Sequence, residues 1–278
     1  MELGIFSKTF PRESLEETFD VVASHGLTCV QFNWETAGLS GMPDSIGDQL
    51  CERVSKAAAA SGVSIAAVSG TFNIIHPDNA ERLRGFQRLR QVIGSCQHLD
   101  ASVVTLCTGT RNAEYLWGHH PDNDTPQAWD EAVASMVDAA GYAEEFGVDL
   151  ALEPEVSNVV DSALKARQMI DDVGSPRLNV VMDGANIFHA GELPRMDEML
   201  REAFALLGSN TVLAHGKDLE RDGEAGNLAA GTGALNYELY LNLLGEINPN
   251  VPLILHGLTE EQVPQSVAFI RSHVVNHI

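Results

Sequence analysis

Four short apolar segments in the second half of the chain each end on a side chain that can bind a metal ion. The segments are Asp149–Glu153, Asn179–Asp183, Thr211–His215 and Pro252–His256. Short apolar runs are typical of parallel strands buried on both faces, and in α/β barrels the residues at the C-terminal strand ends carry the chemistry. Two carboxylates and two imidazoles from four strands therefore predict that Glu153, Asp183, His215 and His256 bind one divalent metal ion.

The donor set indicates which ion and which chemistry to expect. Mixed oxygen and nitrogen donors suit Mn²⁺, Co²⁺, Fe²⁺ or Zn²⁺, and Mg²⁺ less well; we favour Mn²⁺. A divalent ion bound to a carbonyl and its neighbouring hydroxyl acidifies the C–H between them and stabilises the resulting enediolate. Glu153 is the candidate ligand and general base, a role commonly worth about 10²–10⁴-fold in rate. His256 is a fourth ligand or, if it is not firmly bound to metal, a group that returns a proton to carbon or protonates a departing hydroxyl.

The order of the predicted elements indicates the fold that positions these residues. Strands and helices alternate along the whole chain, with eight strands and about eight helices, which predicts one (β/α)8 TIM barrel of the α/β class over residues 1–278. The first four strands are expected at Glu2–Phe6, Thr28–Phe32, Val63–Ser69 and Val103–Cys107. The helices are expected at Pro11–His25, Ser45–Ser61, Asp78–His98, Thr125–Phe146, Val159–Val173, Met196–Leu207 and Asn236–Glu246. An open dinucleotide-binding sheet is disfavoured, because the turn after the first strand lacks the Gly-x-Gly-x-x-Gly pattern.

Composition narrows the class of partner. The chain has 17 basic and 39 acidic residues, a net charge of −22, which opposes binding to a nucleic-acid backbone. Four scattered cysteines without a Cys-x-x-Cys pair favour free thiols over a disulfide framework. No export signal and no apolar stretch of about 20 residues is seen, so we expect a cytoplasmic protein without a membrane-spanning helix.

Further candidates for contacts with a substrate lie near the expected barrel mouth. Arg111 suits a carboxylate or phosphate, although it can equally hold its own loop in place. Lys217 follows His215 by two positions and so points to the same side of the strand, toward substrate oxygens or toward Glu155. The remaining candidates have ordinary alternatives, since histidines are common on surfaces and tryptophan is common in cores: they are His76, His120 and Trp34.

Four segments carry further motifs: Leu150–Pro154, Val181–Asn186, His215–Asp218 and Gly231–Asn236. These motifs resemble those of the xylose isomerase-like TIM barrel superfamily, which includes ketohexose epimerases, inosose dehydratase, hydroxypyruvate isomerase and apurinic endonucleases. The resemblance implies a metal-dependent enzyme acting on a small carbohydrate, and barrels of this kind often form homo-oligomers. In its epimerase-like members Glu, Asp, His and Glu hold the metal, and the first three correspond to Glu153, Asp183 and His215. Two positions depart from that pattern: His256 replaces the last Glu, and Asn186 replaces a substrate-binding His.

These departures leave several functions open. An isomerase or epimerase acting on a keto-sugar or related polyol is our first prediction. A lyase that dehydrates a keto-sugar or cleaves a keto-glycoside is the alternative, because a carboxylate base with an imidazole acid suits elimination equally well. An apurinic-site endonuclease is less favoured, since the third strand carries no His and the chain is acidic. A sugar-binding barrel that has lost catalysis is the last alternative, and metal content distinguishes it from an enzyme.

Overall fold

The eight long strands of the chain close into a parallel barrel. The computed structural model describes residues 1–273 in full and, for Val274, the backbone but not the side chain. The strands are β1 (Glu2–Phe6), β2 (Cys29–Phe32), β3 (Ser64–Ser69), β4 (Val103–Leu106), β5 (Asp149–Leu152), β6 (Leu178–Asp183), β7 (Thr211–Asp218), the two-residue β8 (Leu228–Ala229) and β9 (Pro252–Leu255). Neighbours pair in chain order from β1 to β7, and β9 pairs with both β7 and β1. The predicted (β/α)8 barrel is thereby confirmed.

Helices connect the strands and surround the barrel. The α-helices are α1 (Leu15–Ser24), α2 (Asp48–Ala60), α3 (Asn79–Leu99), α4 (Pro126–Phe146), α5 (Ala163–Val173), α6 (Met196–Leu207), α7 (Tyr237–Ile247) and α8 (Val263–Val274). Short 3-10 helices occupy Ser7–Thr9, Trp34–Ala37, Pro121–Asp124, Leu193–Arg195, Gly208–Asn210 and Glu260–Gln262. Among the described residues no helix has both the length and the apolar character that crossing a membrane requires.

Two helices, α1 and α5, begin four residues later than the sequence pattern predicts, for identifiable reasons. Helix α1 begins after Ser14 rather than at Pro11, because Ser14 and Glu17 form a reciprocal capping box that fixes the first turn. Helix α5 begins at Ala163 rather than Val159. The backbone N–H groups of Val159 and Val160 donate to Gly109 O and Thr108 Oγ1 of the loop after β4, and so they do not enter the helix.

The interior of the barrel is filled directly below the candidate metal ligands. Side chains alternate between the two faces of a strand, so a residue two positions before a ligand lies on the same inner face. These residues are Ala151, Val181, Leu213 and Ile254, and all four belong to one buried apolar cluster. On β1 the inner position is Gly4, where a Cβ atom would lie 2.5 Å from Cys29 O. The packed layer keeps the ligands at the open end of the barrel.

Strand β7 is longer than predicted. We expected it to end at His215, but it continues to Asp218 because β8 pairs antiparallel with it, Lys217 opposite Ala229. Asp218 then holds the following loop in place: its carboxylate accepts hydrogen bonds from the backbone N–H groups of Leu219, Gly231 and Leu235. The extension places Lys217 one further step toward the mouth on the inner face.

Candidate active site

The four predicted ligands converge at the C-terminal mouth of the barrel. One donor atom from each of Glu153, Asp183, His215 and His256 lies within 4.8 Å of the others. His215 Nδ1 is 3.3 Å from Glu153 Oε1 and 3.5 Å from Asp183 Oδ2, and His256 Nε2 is 3.2 Å from Asp183 Oδ2. Such a group can bind one metal ion. The strands bring together residues that are separated by up to 103 positions.

Asp183 is the centre of this cluster. Its Oδ1 accepts the backbone N–H of Ala185 at 2.9 Å, and its Oδ2 lies 3.4 Å from both Lys217 Nζ and Asn186 Nδ2. Burial favours the neutral acid, but Lys217, His215 and His256 hold the pKa of Asp183 well below its usual range. Asp183 is therefore an ionised, fully buried carboxylate, the form that binds cations.

His215 is held by a partner outside the cluster. Its Nε2 lies 2.9 Å from Gln31 Oε1, while Gln31 Nε2 donates to Ser69 Oγ and Thr105 Oγ1. Because Gln31 Oε1 accepts, His215 carries a proton on Nε2 and presents Nδ1 to the two carboxylates. This buried Nδ1 has no hydrogen-bond partner among the described residues. An orphaned imidazole nitrogen facing two carboxylate oxygens fits a metal ion.

The two imidazoles have opposite electrostatic surroundings. Burial opposes protonation of His215, but Glu153 and Asp183 outweigh it and raise the pKa to about 9. Burial, with the positive charges of His215 and Lys217, lowers the pKa of His256 to about 4. The ring of His256 also stacks on Phe6 at 4.7 Å. His256 is therefore a neutral, oriented imidazole, the form that metal ligation requires.

A cavity of about 720 Å³ opens above the cluster. Of the predicted residues, Glu153, His256, Asn186 and Lys217 line it. Other lining side chains include Phe6, Lys8, Gln31, Asn33, Glu35, Ser69, Thr71, Tyr115, Trp117, Glu155 and Glu224. The cavity is within the range of about 300–1,000 Å³ typical of small-molecule sites.

Two predicted substrate contacts lie elsewhere in the structure. Arg111 pairs with Glu131 at 2.9 Å and donates to Ile75 O at 3.3 Å, in a depression separate from the central cavity. It therefore holds its own loop, the alternative that the sequence left open. Trp34 is fully buried in the apolar core and packs edge-on against Phe32.

The predicted rim histidines also lie outside the residues that line the cavity. His76 Nε2 contacts Ala113 O at 3.2 Å, and its Nδ1 accepts the backbone N–H of Asp78. His120 Nδ1 accepts the N–H of Asp122 at the start of the 3-10 helix Pro121–Asp124. Both side chains thus stabilise the long loops after β3 and β4.

Gln31, Asn33 and Glu155 are cavity residues that were not selected as site residues from the sequence. Gln31 and Asn33 lie at the end of β2, where Gln31 interrupts an otherwise apolar strand, and this interruption was the available signal. Glu155 was considered only as a partner for Lys217. It is buried, it accepts from Asn158 Nδ2 at 2.7 Å, and burial raises its pKa to about 7 although the Ser157 N–H and Lys217 favour its charged form.

The chain belongs to the xylose isomerase-like TIM barrel family, whose sequence profile matches residues 19–273. No curated protein is similar enough in sequence to give a significant match. Among solved structures, a 3-keto-D-glucoside 4-epimerase from E. coli superimposes with a TM-score of 0.74 at 15% identity, covering 98% of this chain and 99% of that one. D-Psicose 3-epimerase from Clostridium cellulolyticum H10, in complex with D-tagatose, gives 0.71 at 15% identity, covering 99% of each chain. A xylose isomerase-like barrel from Mycobacterium smegmatis, in complex with magnesium, gives 0.68 at 16% identity, covering 94% of this chain and 88% of that one. At these identities the likeness shows the fold.

Proposed function

We propose that this protein is a divalent-metal-dependent isomerase or epimerase that acts on a keto-sugar or a related polyol. The observation that carries the proposal is the convergence of Glu153, Asp183, His215 and His256, with donor atoms within 4.8 Å of one another, beneath an open cavity in a barrel of this family. A buried carboxylate and an orphaned imidazole nitrogen support metal binding there. Mn²⁺ is our first choice for two oxygen and two nitrogen donors, with Co²⁺, Zn²⁺, Fe²⁺ or Mg²⁺ as alternatives.

The bound metal would polarise a substrate carbonyl and stabilise the negative charge that develops on its oxygen. Glu153 is the base in this proposal, because it lines the cavity and remains partly accessible, with 13% of its side chain exposed. Asn186 Nδ2 donates to Glu153 Oε1 at 2.6 Å and thereby orients the carboxylate. A positioned carboxylate beside an acidified C–H is the requirement for proton abstraction.

His256 and Lys217 complete the proposed machinery. His256 lines the cavity as a neutral imidazole, so it either ligates the metal or exchanges a proton with the substrate. Lys217 lines the cavity with its ammonium group near Asp183, where it can donate hydrogen bonds to substrate oxygens. Asn186 offers its free Oδ1 to a substrate hydroxyl.

The structural neighbours support a keto-sugar as the substrate class. Two of them are epimerases, one for a 3-keto-D-glucoside and one for D-psicose. Both compounds carry a carbonyl next to a C–H that bears a hydroxyl. The proposed chemistry needs the same arrangement.

A lyase remains the second candidate, and position 256 is the reason. An imidazole can protonate a departing hydroxyl or glycosidic oxygen after Glu153 has removed the neighbouring proton, which gives elimination rather than inversion. The endonuclease alternative gains no support. His76 is the first His after the third strand, and it contacts Ala113 O and does not line the cavity. A cytoplasmic location and a homo-oligomeric assembly stay predictions.

The first test is metal content by elemental mass spectrometry. We expect about one transition-metal equivalent per chain in the wild type, its loss in His215→Ala, and its retention in His98→Ala, a histidine on the exposed face of α3. Circular dichroism would verify that both variants fold. If no metal is bound, and none is taken up from added Mn²⁺, Co²⁺ or Zn²⁺, the enzymatic proposal is wrong and a binding barrel remains.

The second test measures the chemistry directly. Metal-loaded protein is incubated with keto-sugars in D₂O, and deuterium at the carbon next to the carbonyl is followed by NMR. We expect exchange with the wild type and at least a hundredfold loss with Glu153→Gln, since general-base help is commonly worth about 10²–10⁴-fold. The product identifies the reaction: an inverted centre indicates an epimerase, a moved carbonyl an isomerase, and a missing hydroxyl or glycosyl group a lyase.

A further inference from the structure

Both lysines that line the cavity are already paired with carboxylates. The lining contains four carboxylates and only two lysines: these are Glu35, Glu153, Glu155, Glu224, Lys8 and Lys217. Lys8 Nζ is 3.2 Å from Glu35, and Lys217 Nζ is 3.4 Å from Asp183. Arg111, which suits a phosphate by its chemistry, is paired with Glu131 away from the cavity. Outside the metal cluster, a phosphate or carboxylate on the substrate would meet no unpaired cation among the side chains that line the cavity.

Two buried amide oxygens in the cavity lack a hydrogen-bond donor among the described residues. Asn186 and Asn33 both line the cavity and are 2% exposed, and the Oδ1 of each has no partner among the described residues. The orientation of Asn186 follows from chemistry, because its Nδ2 faces the carboxylates of Glu153 and Asp183. Leaving a buried acceptor unpaired costs about 1–3 kcal/mol. Sugar hydroxyls can donate to such oxygens, whereas a phosphate dianion cannot.

The rim of the same cavity carries exposed aromatic side chains. Tyr115 is 60% exposed and Trp117 is 39% exposed, and both line the cavity from the loop after β4. Within residues 1–273 only five large apolar side chains are at least 39% exposed, and two of the five lie together at the mouth of this cavity. Aromatic faces pack against the apolar C–H faces of sugar rings.

We propose, on the basis of the proposed keto-sugar chemistry, that the substrate is an uncharged glycoside rather than a free or phosphorylated monosaccharide. The keto-sugar ring lies at the metal cluster, where its hydroxyls donate to Asn186 and Asn33. The group attached through the glycosidic oxygen extends to the rim and packs on Tyr115 and Trp117. Charge, unpaired acceptors and aromatic exposure thus select the same ligand class.

A matched set of ketoses tests this inference. Isomaltulose carries a neutral glucosyl group on the oxygen that carries phosphate in fructose 6-phosphate, and fructose carries neither. Turanose and maltulose present the glucosyl group at other positions. Binding to Mn²⁺-loaded protein is measured by calorimetry, and deuterium exchange is measured in parallel. We expect at least one keto-disaccharide to bind roughly three- to tenfold more tightly than fructose, as one aromatic contact allows, and fructose 6-phosphate to bind more weakly than fructose.

Variants locate the second group on the aromatic rim. In Trp117→Ala the advantage of the preferred disaccharide over fructose should shrink to about twofold or less. In Leu83→Ala, which removes an exposed apolar side chain from α3 and leaves the cavity untouched, the advantage should be unchanged. A rim that plays no part in binding would give the same ratio in both variants, and that result would overturn the inference.

The two proposals can fail separately. If fructose or fructose 6-phosphate binds and exchanges at least as well as every disaccharide, the keto-sugar chemistry stands and the glycoside inference is wrong. If no sugar exchanges deuterium but the disaccharides still bind most tightly, the ligand class stands and the catalytic proposal is wrong. If no disaccharide binds more tightly than fructose, the glycoside inference is overturned whatever the exchange result.

Discussion

Replacement of Asp183 by Asn should destabilise the metal-free protein, because it removes the partner of a buried lysine. Lys217 Nζ lies 3.4 Å from Asp183 Oδ2, and the two side chains are 7% and 0% exposed. At an effective dielectric constant of about 20, unit charges at this distance attract by roughly 5 kcal/mol. Glu155 lies close enough to compensate part of the loss. We therefore expect a decrease of about 3 kcal/mol in the free energy of unfolding, at the lower end of the range for a broken buried ion pair.

The assay is a double-mutant cycle on chelator-treated protein. Urea denaturation gives the free energy of unfolding for the wild type, Asp183→Asn, Lys217→Met and the double variant. Each single change leaves one buried charge without its partner, whereas the double change removes both charges. The double variant should therefore be more stable than the sum of the two single effects predicts.

One result would refute this reasoning. Additive effects, with a coupling energy below about 0.5 kcal/mol, would mean that Asp183 and Lys217 do not interact.

The same variant tests metal ligation. If added Mn²⁺ raised the free energy of unfolding of Asp183→Asn as much as that of the wild type, Asp183 would not be a ligand. The wild type should gain about 2.7 kcal/mol when the free metal concentration is 100 times the dissociation constant.

Three other predictions follow from contacts outside the ligand set. Gln31→Leu should weaken metal affinity by about 10–100-fold, because Gln31 orients His215. Gln97→Leu, on the exposed face of α3, should leave the affinity unchanged. Competition with a chelator measures the metal affinity of both variants. Tyr240→Phe should lower the free energy of unfolding by about 1–3 kcal/mol, because the Tyr240 hydroxyl donates to Met182 O and His215 O. Urea denaturation measures this change, and an unchanged free energy of unfolding would contradict the prediction. Hydrogen bonds from two arginines lower the pKa of Glu131 to about 2 from an ordinary 4.5, so its contribution is complete above pH 4.5 and is lost as the pH falls toward 2. The difference in stability between wild type and Glu131→Gln, about 1–2 kcal/mol after allowance for partial solvent exposure, should therefore disappear over that interval.

The sequence alone was sufficient for the fold and for the four cluster residues. Alternation of apolar strands with amphipathic helices is a local pattern, and a parallel barrel is the arrangement that buries eight such strands. A strand that stops on a charged or imidazole side chain can be recognised without knowing its neighbours. Glu153, Asp183, His215 and His256 were found in this way, and closure of the barrel brings them to one mouth.

Element boundaries were less accurate where distant groups compete with local propensity. Val159 and Val160 read as the start of a helix, but their N–H groups bond to the loop after β4. His215 reads as the end of a strand, but β8 pairs with two further residues. Neither partner is near in sequence, so a local pattern could not reveal it.

The remaining contacts were decided by the tertiary structure alone. Arg111 and His76 have the chemistry to bind a substrate, yet Glu131 and Ala113 O engage them first. Gln31 was passed over, yet the barrel places it against His215. The type of a residue determines which contacts its side chain can form. The groups that the fold places beside it determine how many hydrogen bonds or ion pairs it can still form with a ligand. The sequence therefore determined which metal-binding side-chain types stand at the barrel mouth, and only the packing of distant loops decided which other polar groups line the cavity.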